Sequence, residues 1–263
     1  MSDLILSFVL GLIQWLTEFL PLSSSAHLLF PSLIFGSNDL GLAFDVAAHA
    51  GTLCAVIYFF KLELVNMTKS FFTSSSLLKE ERKLALLLIL ATLPIVIFGF
   101  LASDLVQLNR ANISSIAWMN LIFAGLLLLA YKLNPNNKDL IQLTVLGALF
   151  IGLFQVFALL PGASRSGTAM TAALFIGLNL RDASKFSFML AIPTILGALV
   201  FLVLDLMSSE QIINVGSLLV GFITSMIFAF LTIKYFLAFV ERLGMYPFVF
   251  YRIGLGVILL MII

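Results

Sequence analysis

Charged residues are scarce in this chain. They occupy 10% of its 263 positions, whereas soluble domains carry about 25%. Apolar residues fill 62% of it. That excludes a soluble domain with a wet surface and predicts a polytopic, all-α membrane protein with little mass outside the bilayer. Charge of one sign is also missing. Fourteen basic residues face thirteen acidic ones, a formal net charge of +1, so bulk electrostatics points to no nucleic acid or other polyanion. Cysteine is nearly absent. The lone Cys54 excludes an intramolecular disulfide and a multi-cysteine metal cluster; lying in an apolar run, it reads as inert packing. The first hydrophobic segment lacks a basic leader region and a small-residue exit, and it contains Gln14 and Glu18. It reads as mature structure rather than a cleaved signal peptide.

Long apolar runs are what the chain does have. Six stretches, roughly 42–60, 84–103, 114–131, 185–206, 214–239 and 246–263, can cross about 30 Å of hydrocarbon. Four shorter ones meet in pairs at polar breaks: 4–20 with 24–36, and 143–160 with 166–178. Pro21 marks the first break and Pro161-Gly162 the second. The short second halves favour two re-entrant helical hairpins, because irregular backbone at that depth must be buried in protein or line a wet cavity.

The chain, a single integral membrane domain over 1–263, divides into two similar parts, about 1–133 and about 140–263. Gly11-Leu12-Ile13-Gln14 matches Gly152-Leu153-Phe154-Gln155, and Leu20-Pro21-x-x-Ser24 matches Leu160-Pro161-x-x-Ser164. Phe44–Phe60 aligns without gaps on Phe186–Leu202. Each part holds one hairpin and three spans. Three crossings invert the second part, and inverted repeats build their site from broken helices near the midplane. Lys61, Lys69, Lys79, Arg82, Lys83, Lys132, Lys138, Arg181, Lys185, Lys234, Arg242 and Arg252 then share one side, against Arg110 on the other. That bias makes the first side cytoplasmic and sets both termini outside.

Within the first break, Glu18 precedes Ser23, Ser24, Ser25 and His27; the second carries Ser164, Arg165, Ser166, Gly167 and Thr168. A charge at membrane depth costs about 2.5–3.5 kcal/mol on insertion scales, so it needs a partner or a role. Helix starts at both breaks expose N–H groups and the positive dipole end, an anion site. Arg165 adds a fork suited to phosphate oxygens. Gln14 and Glu18, i and i+4 on one helix face, offer oxygen ligands for a divalent cation such as Mg or Ca. Ser24 and His27 share a face, pairing a hydroxyl nucleophile with an imidazole. The imidazole serves as base, as leaving-group acid or as the nucleophile itself. Blander readings stand beside these: a Glu18–Arg165 pair that only joins the halves, a structural Asp45–His49 pair, and Gln155 as structural, since no acid follows it. Inverted repeats with broken helices also suit a secondary transporter or flippase of a lipid carrier.

Gln14-x-x-x-Glu18-Phe19-Leu20-Pro21-Leu22-Ser23-Ser24-Ser25-Ala26-His27 and Pro161-Gly162-Ala163-Ser164-Arg165-Ser166-Gly167-Thr168-Ala169 together resemble the undecaprenyl-diphosphate phosphatase family of the bacitracin-resistance type. The resemblance spans essentially the whole chain. It implies hydrolysis of a polyprenyl diphosphate lipid, a divalent-cation requirement, an outward-facing site in the bacterial plasma membrane among membrane lipids, and it allows a homodimer. Two positions depart from the pattern. Gln14 stands where many members have Glu, and Ala169 where the motif ends in Thr.

Overall fold

The computed structural model describes residues 3–23, 27, 42–73, 78–102, 112–207 and 214–262. Among them the regular structure is helical, with no β-strand apart from one isolated bridge, Lys138 to Leu178. In chain order the helices are α1 (Asp3–Phe19), α2 (Leu42–Phe59), α3 (Lys61–Phe72), α4 (Lys79–Leu101), α5 (Ile113–Leu133), α6 (Val145–Gln155, continued by a 3₁₀ turn Val156–Leu159), α7 (Arg165–Phe175), α8 (Leu180–Met207), α9 (Val215–Leu243) and α10 (Tyr246–Ile262).

By length and composition, α4, α5, α8 and α9 can each cross a membrane, and α2 with α3 makes a fifth candidate bent by 74° at its break. α1, α6 with its 3₁₀ turn, and α10 are apolar but shorter. The expected segment 24–36 lies outside the described residues except for His27. α3 is a difference from the sequence reading, which has a loop over 61–83. The stretch has no Pro or Gly, and at helical spacing it buries Met67 and Ser70 while leaving its lysines out. Arg82 closes its end, donating from Nε to the Ser70 carbonyl at 2.8 Å and from Nη2 to the Thr73 carbonyl at 3.0 Å.

Small residues set the packing. Gly51 of α2 sits so close to α9 that a Cβ there would overlap the Phe222 carbonyl, and Gly221 of α9 faces the Phe44 ring with equally little room. Close backbone approach of this kind replaces the hydrophobic drive that lipid removes. α2 also packs on α8, α1 lies on α9, and α10 lies on α5. Cys54 is exposed on α2 rather than packed inside, which corrects its reading as core. The large apolar side chains left outside, such as Leu86, Ile89 and Leu93 along α4, form a surface that water would penalise and lipid accepts.

α7 is the most enclosed element. Every residue from Ser166 to Leu174 is buried, and α5, α6 and α8 all touch the helix. Its small side chains let three neighbours close on it. The basic segments gather at one end: Lys185 pairs with Glu63 at 3.1 Å, and Lys83 donates to the Ile141 carbonyl at 2.6 Å. The Lys83 contact adds a structural role to a residue that the sequence alone assigns to topology.

Candidate active site

The two polar breaks meet. α1 ends at Phe19, and its last turn presents Glu18; α7 begins with Arg165. Arg165 Nη2 donates to Glu18 Oε1 at 2.5 Å, and the side chains are only 14% and 9% accessible. Ser166 adds a second link, its hydroxyl donating to the Leu20 carbonyl at 2.8 Å. From α8, Ser187 donates to the Ser166 carbonyl at 3.2 Å. Side chains after the second break therefore hold the backbone of the first.

The second break turns on two unusual residues. Gly162 has φ +99° and lies against the Ile116 backbone, where any Cβ would overlap a carbonyl. Ser164 has φ +71°, a region that costs a non-glycine residue about 1–3 kcal/mol and recurs at ligand-binding turns. Ser164 is the N-cap of α7: its Oγ accepts from the Gly167 amide at 3.2 Å, and its carbonyl accepts from the Thr168 amide at 2.9 Å. The amides of Arg165 and Ser166 are not taken up by these bonds. The sequence reading starts this helix after Gly167; the structure starts it at Arg165, so Ser166 and Gly167 form its first turn. The hydroxyls expected on a phosphate already bind protein. Ser164 Oγ lies 3.3 Å from Ser166 Oγ, and Thr168 donates to the Arg165 carbonyl at 2.8 Å.

His27 is buried. A carbonyl only accepts, so the 2.5 Å contact from Nδ1 to the Ser23 oxygen puts a proton on Nδ1. Nε2 lies 2.7 Å from the Tyr251 hydroxyl on α10, with the rings parallel to within 3° and 5.5 Å apart. Ser24, Ser25 and the side chain of Gln14 lie outside the described residues. His49 donates from Nδ1 to the Asp45 backbone oxygen, 2.8 Å away, a bond within one helix turn. Gln155 is buried and donates to Thr194 Oγ1 at 3.3 Å.

Arg252 is the residue that sequence reasoning missed. It counts there as a surface charge on the cytoplasmic side. In the structure it is fully buried on α10. Its Nη2 donates to the Gly162 and Ala163 carbonyls, each at 3.0 Å, its Nη1 reaches the Pro21 carbonyl at 3.5 Å, and its Nε donates to Asn120 Oδ1 at 2.9 Å. Asn120 returns a bond from its amide to the Arg252 carbonyl at 2.8 Å. One guanidinium thus clamps both breaks. The signal was available: a lone arginine inside an apolar helix deserves the same suspicion as Glu18.

Comparison with known proteins identifies the family. The undecaprenyl-diphosphatase of Alcanivorax borkumensis (strain SK2) is 46% identical over 256 residues, covering 97% of each chain. The family model described as bacitracin resistance protein BacA matches residues 7–258, nearly the whole sequence. The chain, with its acid-bearing and arginine-bearing breaks joined at α1 and α7, belongs to the BacA family.

Proposed function

We propose that the protein is an integral membrane phosphatase that hydrolyses undecaprenyl diphosphate to undecaprenyl phosphate and inorganic phosphate. The reaction recycles the lipid carrier of cell-wall synthesis and confers resistance to bacitracin. The single observation that carries this reading is the Glu18–Arg165 contact joining the two breaks, in a chain so close to a diphosphatase.

The pair is a resting state. In the free protein each charge neutralises the other. An entering diphosphate offers Arg165 a pair of oxygens for a bidentate contact, the guanidinium turns towards it, and the Glu18 carboxylate is released as a base. Ser24 then attacks the terminal phosphorus: its oxygen–phosphorus bond forms, the bridging phosphorus–oxygen bond breaks, and undecaprenyl phosphate leaves. The Ser24 proton passes to Glu18 and His27 serves the transfers that follow. Water hydrolyses the phosphoserine and releases phosphate. Arg165 and the unused amides at the start of α7 stabilise the transferring group, which is the main task of a phosphoryl-transfer site. Ser23, Ser25, Ser164, Ser166, Gly167 and Thr168 shape the cradle.

A divalent cation fits the donor chemistry of α1. Glu18 lies in the last turn of a continuous helix that carries Gln14 four residues earlier, and among the described residues no group of three or more acidic, histidine or cysteine side chains is suited to hold an ion. Mg or Ca would take oxygens from Glu18 and Gln14, and the rest from substrate and water, as Mg usually does. When bound it would neutralise charge on the diphosphate.

The fold is read as two inverted parts with six spans and two re-entrant hairpins, its site facing outward and both termini outside the bacterial plasma membrane. The shortness of α6 and α7 and the gathering of basic loops at one end support this reading. The test is phosphate release by purified protein from a polyprenyl diphosphate, wild type beside Glu18→Ala and Arg165→Ala, with Mg or Ca and then chelator. Release lost in both variants supports the reading; unchanged lipid moved across liposomes, without release, sinks it.

A further inference from the structure

Both ring nitrogens of His27 are engaged. Nδ1 donates to the Ser23 carbonyl at 2.5 Å, so a neutral ring carries its lone pair on Nε2, and there the Tyr251 hydroxyl donates at 2.7 Å. The two rings are parallel to within 3°. Tyr251 comes from α10, 224 positions away in the chain. Its backbone neighbour Arg252 is anchored to Asn120, Gly162 and Ala163, so α10 is fixed relative to the breaks, and Tyr251 with it.

We propose that Tyr251 is a positioning residue for His27. Its hydroxyl selects the tautomer protonated on Nδ1 and leaves Nε2 as the one nitrogen that exchanges a proton. A hydroxyl suits this place because it is both donor and acceptor. It donates to Nε2 of the neutral imidazole and accepts from Nε2–H once the ring is charged, so the ring keeps its place in both states. A lone pair engaged by a phenol is not aimed at phosphorus. The arrangement therefore selects proton transfer over covalent phosphorylation of His27. The inference rests on the phosphatase reading for its kinetic consequence, and on the geometry alone for the pairing.

The chain has two histidines, so ¹⁵N-histidine labelling of the full protein in lipid nanodiscs yields two imidazoles, and His27→Gln identifies the one that matters. Wild type shows Nδ1 protonated and an Nε2 resonance displaced by a hydrogen bond. Tyr251→Phe keeps the parallel ring and the fold. It moves the Nε2 resonance towards the value of an unbonded nitrogen. It also lowers kcat by about tenfold with KM held, less than the ~10²–10⁴ that general acid–base catalysis supplies as a whole. An unshifted Nε2 resonance, or a kcat equal to that of an active wild type, overturns the proposal, as does a phosphohistidine trapped on His27. A wild type that releases no phosphate overturns the phosphatase reading and the rate prediction with it, while the resonance still decides the pairing.

Discussion

Glu18 and Arg165 stand 147 positions apart and touch at 2.5 Å, with both side chains nearly closed off from solvent. Neither charge has a reason to lie at that depth without the other. The contact joins the two polar breaks, and in the mechanism proposed above it is also the resting form of the site.

Glu18→Gln and Arg165→Met should each remove phosphate release by about 10²–10³-fold, the usual cost of losing one electrostatic group at a reacting centre. Each single change also strands a buried charge, at about 3–5 kcal/mol of stability. The double variant should regain much of that stability while staying inactive. Thermal unfolding in detergent beside the phosphate assay separates the two effects. A double variant no more stable than the singles contradicts the joining role.

Arg252→Met should lower stability by about 2–4 kcal/mol, since each buried group left without a partner costs ~1–3 kcal/mol. It should also lower activity, because the carbonyls of Gly162 and Ala163 lose the group that aims the second break. Arg252→Lys keeps the charge but not the fork, so it should rescue little. Full activity in the lysine variant would show that charge alone is required.

Gly162→Ala meets two obstacles at once, a positive φ and the Ile116 carbonyl. The expected loss exceeds the ~1 kcal/mol of an ordinary incompatible alanine, and phosphate release should fall with it. Chemical unfolding of the purified variant measures the first, and the phosphate assay the second.

Lys185 and Glu63 form the contrasting case. Their 3.1 Å pair is a third exposed, 33% and 37% accessible, so a double-mutant cycle should give less than about 1 kcal/mol. Activity should be unchanged in both alanine variants.

Chelator should abolish phosphate release and added Mg or Ca should restore it. Gln14→Glu, which adds a charge to the ligand pair on α1, should lower the metal concentration for half-maximal rate several-fold, since such affinities follow ligand charge. Titration of metal against rate in the two proteins reads this directly.

Much of this protein is legible in one dimension. The lack of charge and the long apolar runs place the chain among helical membrane proteins, because backbone in lipid must satisfy its own hydrogen bonds. Most observed helices begin and end within a few residues of the apolar runs. The suspicion that Glu18 and Arg165 answer one another also came from the sequence, since an acid in one break and a base in the other are too costly to bury apart. What the linear pattern did not show was who else stands there. Tyr251 and Arg252 follow Tyr246-Pro247-Phe248 in an apolar stretch with no motif around them, and Arg252 reads there as a mark of topology. Their roles depend on α10 folding back against α5, so that a guanidinium finds three carbonyls and an amide, and a phenol finds His27. Hydrophobicity and spacing act along the chain and are decided locally; a hydrogen bond between residues 27 and 251 depends on how helices pack, and only the tertiary structure decides it.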